Sequence, residues 1–300
     1  MRIINGKLNI FKTKINNLYC NNEAAIILAD SLKTLKQIRN ESVDLAFADP
    51  PYNIGKTFGS RKEFFTKEGY LTWCKEWIDE CMRILKPTGV FVFMSATQFM
   101  PYLDCYVDSK FSVISRIVWY YDSSGVQAKR NFGSMYEPII VVAKDKKKYV
   151  FNSENVMVEA KTGAVRKLID YRKSTPQQYN TKKVLGNVWN IPRVRYKMDE
   201  YETHPAQKPE RLMENIILAF SNEGDIVLDP FAGTFTTCAV AQKHNRLGIG
   251  IEMEEEYYKI GLRRLGISDS YKGKKLIKKK GRVTKNKSKK AGEFVVVLCS

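Results

Sequence analysis

Four consecutive residues, Asp49-Pro50-Pro51-Tyr52, follow directly on the short β-prone run at 42–48. Two adjacent prolines stop a strand and hold the chain beyond it extended and rigid. The segment presents a carboxylate, a carbonyl with no ladder partner and an aromatic ring at the carboxyl end of a strand, the edge where open α/β sheets bind ligands. These groups suit an exocyclic aromatic amine, whose lone pair is spread into its ring and which is a poor nucleophile. If Asp49 and the Pro50 carbonyl accept both of its N–H bonds, they favour the tetrahedral nitrogen that forms as it attacks. Tyr52 offers a ring face against which an extruded base can stack. The plain structural alternative for the four residues is a proline-rich turn.

A second constellation runs from Ile226-Val227-Leu228-Asp229 through Pro230-Phe231-Ala232-Gly233-Thr234 to Phe235-Thr236-Thr237. A buried strand, a tight turn of small residues and a helix start form a cofactor loop in doubly wound sheets. Gly233 lets the backbone approach a ligand closely, and the helix start offers free N–H groups. About twenty residues on, Gly248-Ile249-Gly250-Ile251 places the Glu252 carboxylate at the end of the next strand, where it can accept hydrogen bonds from both ribose hydroxyls of a nucleoside cofactor. The loop lacks the extra glycines or the lysine of a phosphate loop, which favours a cofactor without phosphates. The bland alternative is a tight αβ turn with an exposed Glu.

Alternating elements must position these segments. Residues 24–48 read as a helix-like stretch followed by a strand. Apolar residues at Leu71, Trp73, Trp77, Ile78, Cys81, Met82 and Leu85 predict a helix over 70–85, ended by Lys86-Pro87-Thr88-Gly89. Strands are expected at 90–94, 115–120 and 138–143, then a helix at 209–221, a strand at 225–228, a helix at 236–243 and a strand at 248–251. Strands alternating with helices imply a largely parallel sheet. Residues 151–203 break the pattern: they are polar, basic and aromatic, with Tyr171, Arg172, Tyr179, Trp189, Arg193, Arg195 and Tyr196 and no sustained periodicity.

Together the two motifs resemble the amino-methyltransferases of DNA, which share a D/N/S-P-P-Y segment and an F-x-G cofactor loop. The order, with Asp-Pro-Pro-Tyr first, then a variable region, then F-x-G, resembles their circularly permuted beta group, over about residues 20–268. Asp in the first position resembles the adenine-N6 enzymes more than the cytosine-N4 enzymes. Two longer stretches strengthen the likeness: Trp119-Tyr120-Tyr121-Asp122 with the residues through Lys129, and Gly133-Ser134-Met135-Tyr136-Glu137-Pro138. The resemblance implies an S-adenosylmethionine-dependent methyltransferase fold, α/β with a seven-stranded, mostly parallel sheet, in a catalytic domain over 1–271 with an inserted target-recognition region at 151–203. It implies that S-adenosylmethionine donates a methyl group to adenine N6 in a short sequence of double-stranded DNA.

It also implies site residues. Asp49, Pro50, Pro51 and Tyr52 match the catalytic motif. Phe231, Ala232, Gly233 and Thr234, following Asp229, match the cofactor loop, and Glu252 the ribose acceptor. His204, Gln207 and Lys208, within His204-Pro205-Ala206-Gln207-Lys208-Pro209, match a motif that helps enclose the methionine part of the cofactor. Asp30 matches an acid that contacts the cofactor adenine; a helix N-cap is the alternative. In one departure, most relatives have a second glycine where this chain has Phe235, which implies a differently shaped turn.

Bulk properties agree with a polyanionic partner. The net charge of the 300 residues is +18; eleven Lys or Arg and no acid lie between Lys272 and Lys290, which leaves +7 for the rest. The segment 272–300 reads as a Lys-rich disordered tail. Six cysteines without a C-x-x-C pair argue against a zinc site and for reduced thiols in a cytosol. No metal is expected. Residues 1–15 lack the apolar region of a secretory signal and no run is long enough to span a membrane, so the expectation is a cytoplasmic bacterial protein acting at the nucleoid. Relatives often pair as homodimers, and no interface signature decides it here. Other readings of the same residues are an RNA or protein-amide methyltransferase, a cytosine-N4 DNA methyltransferase, or a non-enzymatic DNA-binding protein on this fold.

Overall fold

The computed structural model describes residues 10–15, 17–58, 61–62, 65–122, 130, 132–161 and 166–267. The Lys-rich segment 272–300 and residues 123–129 lie outside the described residues. Nine strands form the main sheet: β1 (Leu18–Cys20), β2 (Ala24–Leu28), β3 (Val43–Ala48), β4 (Leu85–Met94), β5 (Ser112–Tyr120), β6 (Tyr136–Ala143), β7 (Val188–Asn190), β8 (Ile226–Asp229) and β9 (Leu247–Glu252). Their order is β1-β2-β9-β8-β3-β4-β6-β5-β7. Only β1 and β6 run against the other strands.

The helices are α1 (Ser31–Gln37), α2 (Lys67–Ile84), α3 (Met100–Lys110), α4 (Glu210–Phe220), α5 (Thr236–Lys243) and α6 (Glu255–Arg264). They cover both faces of the sheet, which is why its central strands are mostly apolar on both faces rather than alternating. Within β4, Phe91 and Phe93 pack on one face with Trp77 of α2 and Leu103 of α3. Val90 and Val92 pack on the other with Leu212 and Ile216 of α4. Thr66 starts α2, its hydroxyl accepting from the Gly69 N–H at 3.1 Å, as N-capping requires.

Among the described residues the sheet has nine strands where seven are expected. β1, β2 and β7 have no counterpart among the strands expected from sequence; β1 and β7 are each three residues long, too short for periodicity to reveal. Residues 24–28, read as helix-like, form the fully paired strand β2 beside β9. Ala and Leu favour helix on propensity, and burial in the sheet overrides it. The segment 86–89 is an irregularity within β4, where pairing with β3 jumps from Val43–Leu85 to Leu45–Val90. Among the described residues of 151–203 the structure holds a 3-10 turn at Ser153–Val156 and short antiparallel ribbons, Met157–Glu159 with Lys182–Val184 and Ile169–Asp170 with Gln177–Gln178, apart from β7.

The departure at Phe235 has a structural answer. Its backbone is left-handed, φ 59° and ψ 31°, a conformation that favours glycine. The side chain is completely buried. Its ring fills the space left by two glycines: a Cβ at Gly250 would meet the ring at 2.5 Å, and one at Gly261 would also collide with it. Burial of the ring offsets the cost of the backbone. Phe235→Ala is therefore expected to destabilise by about 3–5 kcal/mol, and Phe235→Gly by about 1 kcal/mol less, because glycine adopts the left-handed turn freely. Urea midpoints of the two variants check this; a glycine variant no more stable than the alanine one would show that the turn carries no strain.

Candidate active site

β3 and β8 are parallel neighbours, with Val227 opposite Leu45 and Leu228 opposite Ala46. From β3 the chain crosses outward to β4, and from β8 it crosses the other way to β9. The boundary between β3 and β8 is thus the topological switch point, where a crevice opens beyond the strand ends. Asp49-Pro50-Pro51-Tyr52 leaves β3 at that edge and Phe231-Ala232-Gly233-Thr234 leaves β8 beside it. Both line one cavity of about 420 Å³, and every site residue named from the sequence lies on its wall.

At one end, Glu252 closes β9 and organises the loops around it. Its Oε2 accepts from the Gly233 N–H at 2.9 Å, and its Oε1 accepts from the Met253 and Glu254 N–H groups at 2.8 and 2.7 Å. Those bonds leave Oε2 with one further lone pair. Asp229 Oδ1 accepts from the Phe231 N–H at 2.9 Å and Oδ2 from the Thr237 hydroxyl at 2.6 Å, fixing the turn between β8 and α5. Asp30 caps α1, accepting from the Lys33 N–H at 2.9 Å, and still reaches the cavity. His204 accepts from the Ala206 N–H through Nδ1, packs edge-on against Tyr257 at 4.4 Å, and stands over Gly233, where a Cβ would come within 3.3 Å of its Nε2. Burial, with Lys208 and Lys56 nearby, brings its imidazole down to about 3, so it is neutral at physiological pH. Gln207 staples its own loop, accepting from the Glu202 N–H and donating to the Glu200 carbonyl. Phe231 and Trp73 meet edge to face at 5.6 Å, and Phe65 stacks on Trp73, giving the cavity an aromatic wall.

At the other end the catalytic-type loop is tied down twice. The Tyr70 hydroxyl donates to the Pro51 carbonyl at 3.0 Å. Asn53, left-handed at φ 53°, exchanges two hydrogen bonds with the backbone of Phe65. Among the described residues none donates to the Pro50 carbonyl. Tyr52 lays its hydroxyl 2.6 Å from Asp49 Oδ1 and 3.0 Å from Glu137 Oε2. Lys208 reaches this end, not the cofactor loop with which its motif was grouped: its Nζ is 2.7 Å from Asp49 Oδ2 and 3.3 Å from Glu137 Oε2.

The residues matched by the sequence profile of a family described as DNA methylase, of the N6/N4 type, are 43–263, which spans both motifs and everything between them. The chain belongs to this DNA methylase family. It is 56% identical over 271 residues, 90% of this chain and 92% of the relative, to DNA adenine methyltransferase YhdJ of Escherichia coli strain K12. Among solved structures, it resembles M1.HpyAVI in complex with SAM, with TM-score 0.55 and 26% identity over 80% of this chain and 99% of that one. It shares its fold with the cytosine-N4-specific PvuII DNA methyltransferase, with TM-score 0.66 and 18% identity over 87% and 91% of the two chains.

In this DNA methylase Glu137 joins the Asp49 end of the site although neither motif contains it. One signal was available: Glu137 is the only charged side chain in the otherwise apolar β6. Burial also acts on the cofactor-loop acids. It pushes the Asp229 carboxyl up to about 7, against the Thr237 hydroxyl and the Phe231 N–H, which favour ionisation. A carboxyl raised in the folded state contributes stability that is fully present below its ordinary value near 3.8 and is lost as pH rises through about 7. Asp229→Asn has nothing to lose over that window. Between pH 5 and pH 8, its stability relative to the parent is expected to rise by about 1–3 kcal/mol. Urea unfolding of the ligand-free proteins reads this, and parallel pH curves would mean that Asp229 stays ionised throughout.

Proposed function

We propose that this chain methylates the N6 amino group of adenine within a short sequence of double-stranded DNA, with S-adenosylmethionine as methyl donor. The observation that carries the reading is the opening of the Asp49-Pro50-Pro51-Tyr52 loop and the Gly233–Glu252 edge onto one cavity. The cofactor end fits a nucleoside without phosphates: Glu252 has one acceptor lone pair to give a ribose hydroxyl, Asp30 reaches the wall, and neutral His204 stands beside the close-approach glycine. Asp30, His204, Gln207, Asp229, Phe231, Ala232, Gly233, Thr234 and Glu252 are the residues that would hold the cofactor. When bound, it supplies an electrophilic methyl group on a sulfonium centre.

The chain's own residues prepare the amine. Asp49 and the Pro50 carbonyl accept the two N–H bonds, which withdraws the nitrogen lone pair from the ring and makes it available for attack. Tyr52 presents its ring to the flipped base and is held by its bond to Asp49. In the segment 151–203, Arg193 lies over the Tyr121 ring at 5.0 Å, and Tyr171, Arg172 and Tyr196 are well exposed. These suit phosphate contacts and base-edge readout, and the segment 272–300 would add salt-sensitive affinity.

Asp49→Ala is expected to lower single-turnover methyl transfer to duplex DNA by about 10²–10³-fold or more while the cofactor still binds, as read by calorimetry. Retained activity would remove Asp49 from the mechanism. Nucleoside analysis of the methylated DNA is expected to show N6-methyladenine; N4-methylcytosine would overturn the base assignment alone.

A further inference from the structure

We propose that Glu137 and Lys208 are positioning residues for the transfer: the Lys208 ammonium holds Asp49 ionised and turned to accept the target amine, and the Glu137 carboxylate sets the opposing charge while sharing the same ammonium and the Tyr52 hydroxyl. The inference rests on the function proposed above. Its basis is a cluster of four polar side chains, Asp49, Tyr52, Glu137 and Lys208, in which Lys208, Asp49 and Glu137 keep only 8%, 15% and 18% of their side-chain surface. The members come from separate parts of the chain, the loop after β3, strand β6 and the segment before α4. They meet only in the folded protein.

Counting protons shows why Lys208 is required. The Tyr52 hydroxyl lies within hydrogen-bonding distance of both carboxylates, at 2.6 and 3.0 Å, and has one proton to give. Lys208 has three, and its Nζ lies 2.7 Å from Asp49 and 3.3 Å from Glu137. With Tyr52 on Oδ1 and Lys208 on Oδ2, the plane of the Asp49 carboxylate is fixed, and each oxygen keeps a lone pair for an incoming N–H. Without Lys208, two carboxylates would face each other across a single hydroxyl, and one would take a proton. A protonated Asp49 is a donor on one oxygen and no longer the acceptor the amine needs.

Glu137 works in the opposite sense. Its negative charge raises the affinity of Asp49 for a proton, and it draws part of the Lys208 ammonium to itself. Burial holds the Asp49 carboxyl above its ordinary value, with Lys208 pulling it down and Glu137 pushing it up. Against burial, Lys208 and the Tyr52 and Tyr121 hydroxyls hold Glu137 below its ordinary value. The other ionisable groups facing the cluster are Asp229 at the end of β8, neutral His204, and Arg193 over the Tyr121 ring, whose hydroxyl is 3.2 Å from Glu137 Oε1.

The first test needs neither cofactor nor DNA. Full-length protein carrying [γ-13C]aspartate is titrated by NMR, with Asp49→Asn assigning the Asp49 resonance. Lys208→Met is expected to raise the Asp49 midpoint by about 1–3 pH units, Glu137→Gln to lower it, and the double variant to return it toward the parent. The acid limb of single-turnover methyl transfer, at saturating DNA and cofactor, is expected to move in the same directions. Reduced transfer with an unmoved midpoint and an unmoved acid limb would show a merely structural role and overturn the proposal. Should Lys208→Met fail to fold, Glu137→Gln and the charge-conserving Lys208→Arg decide it: a lowered midpoint in the first and a near-parental one in the second support the pair, and equal midpoints in all three overturn it. Midpoints that move as expected in a parent that transfers no methyl group to DNA would overturn the proposed function and leave the charge pair standing.

Discussion

The parallel pairing of β3 with β8 is the constraint on which the site depends. It joins segments some 180 residues apart in the chain, and its register decides whether the two functional loops leave the sheet side by side. Asp44 secures that register at the opposite end of the strands. From β3 its carboxylate accepts from the Ile226 N–H of β8 at 2.9 Å and from the Lys86 ammonium of β4 at 2.7 Å. One acid thus ties three neighbouring strands together away from the chemistry. A one-residue slip would turn every side chain of β3 to the other face, moving Leu45 and Phe47 out of one hydrophobic layer and Ala46 out of the other. The two-sided core makes that slip costly, so Asp49 and Asp229 arrive at one edge without any loop having to find them.

Close packing then shapes the cofactor side. Gly250 in β9 and Gly261 in α6 leave room for the Phe235 ring, and the buried ring holds a left-handed turn at the start of α5. That turn brings the Gly233 N–H onto Glu252, and Glu252 in turn gathers the backbone of Met253 and Glu254. This left-handed position is occupied by an aromatic side chain, with two glycines making room for its ring. Burial of the ring, not rotational freedom of the backbone, is what stabilises this turn.

The sequence made much of this legible, for identifiable reasons. Strand β3 and helices α2 and α4 were readable because their apolar residues extend over whole elements, and the Asp-Pro-Pro-Tyr and Phe-Ala-Gly loops because proline and glycine mark backbone needs. The short edge strands β1 and β7 carry three residues each, less than any period needs to declare itself. β2 was hidden because Ala24, Ala25 and Leu28 are as good in a helix as in a strand, and only the partner β9 decides between them. The role of Lys208 was hidden for another reason. It sits four residues from His204, which invited a common role, but their side chains diverge, the imidazole toward Gly233 and the ammonium toward Asp49. Sequence proximity to a motif says nothing of which way a long side chain turns.

The cluster of Asp49, Glu137 and Lys208 also shows what the fold does not need. Burying two carboxylates and an ammonium costs desolvation that their mutual attraction rarely repays in full, and well-packed apolar residues at such positions are often neutral or stabilising. The surroundings would accept them: Trp119 is nearly fully buried beside the cluster, its indole nitrogen satisfied by the Ile191 carbonyl at 2.8 Å, and Ile139 and Val141 continue β6 as pure core. A charge set placed where hydrophobic packing would serve the fold equally well is explained by the chemistry at its open side. For the proposed transfer an acceptor must stay ionised at a mostly buried position, and there one ammonium and one phenol take over much of what bulk water ordinarily does for a carboxylate.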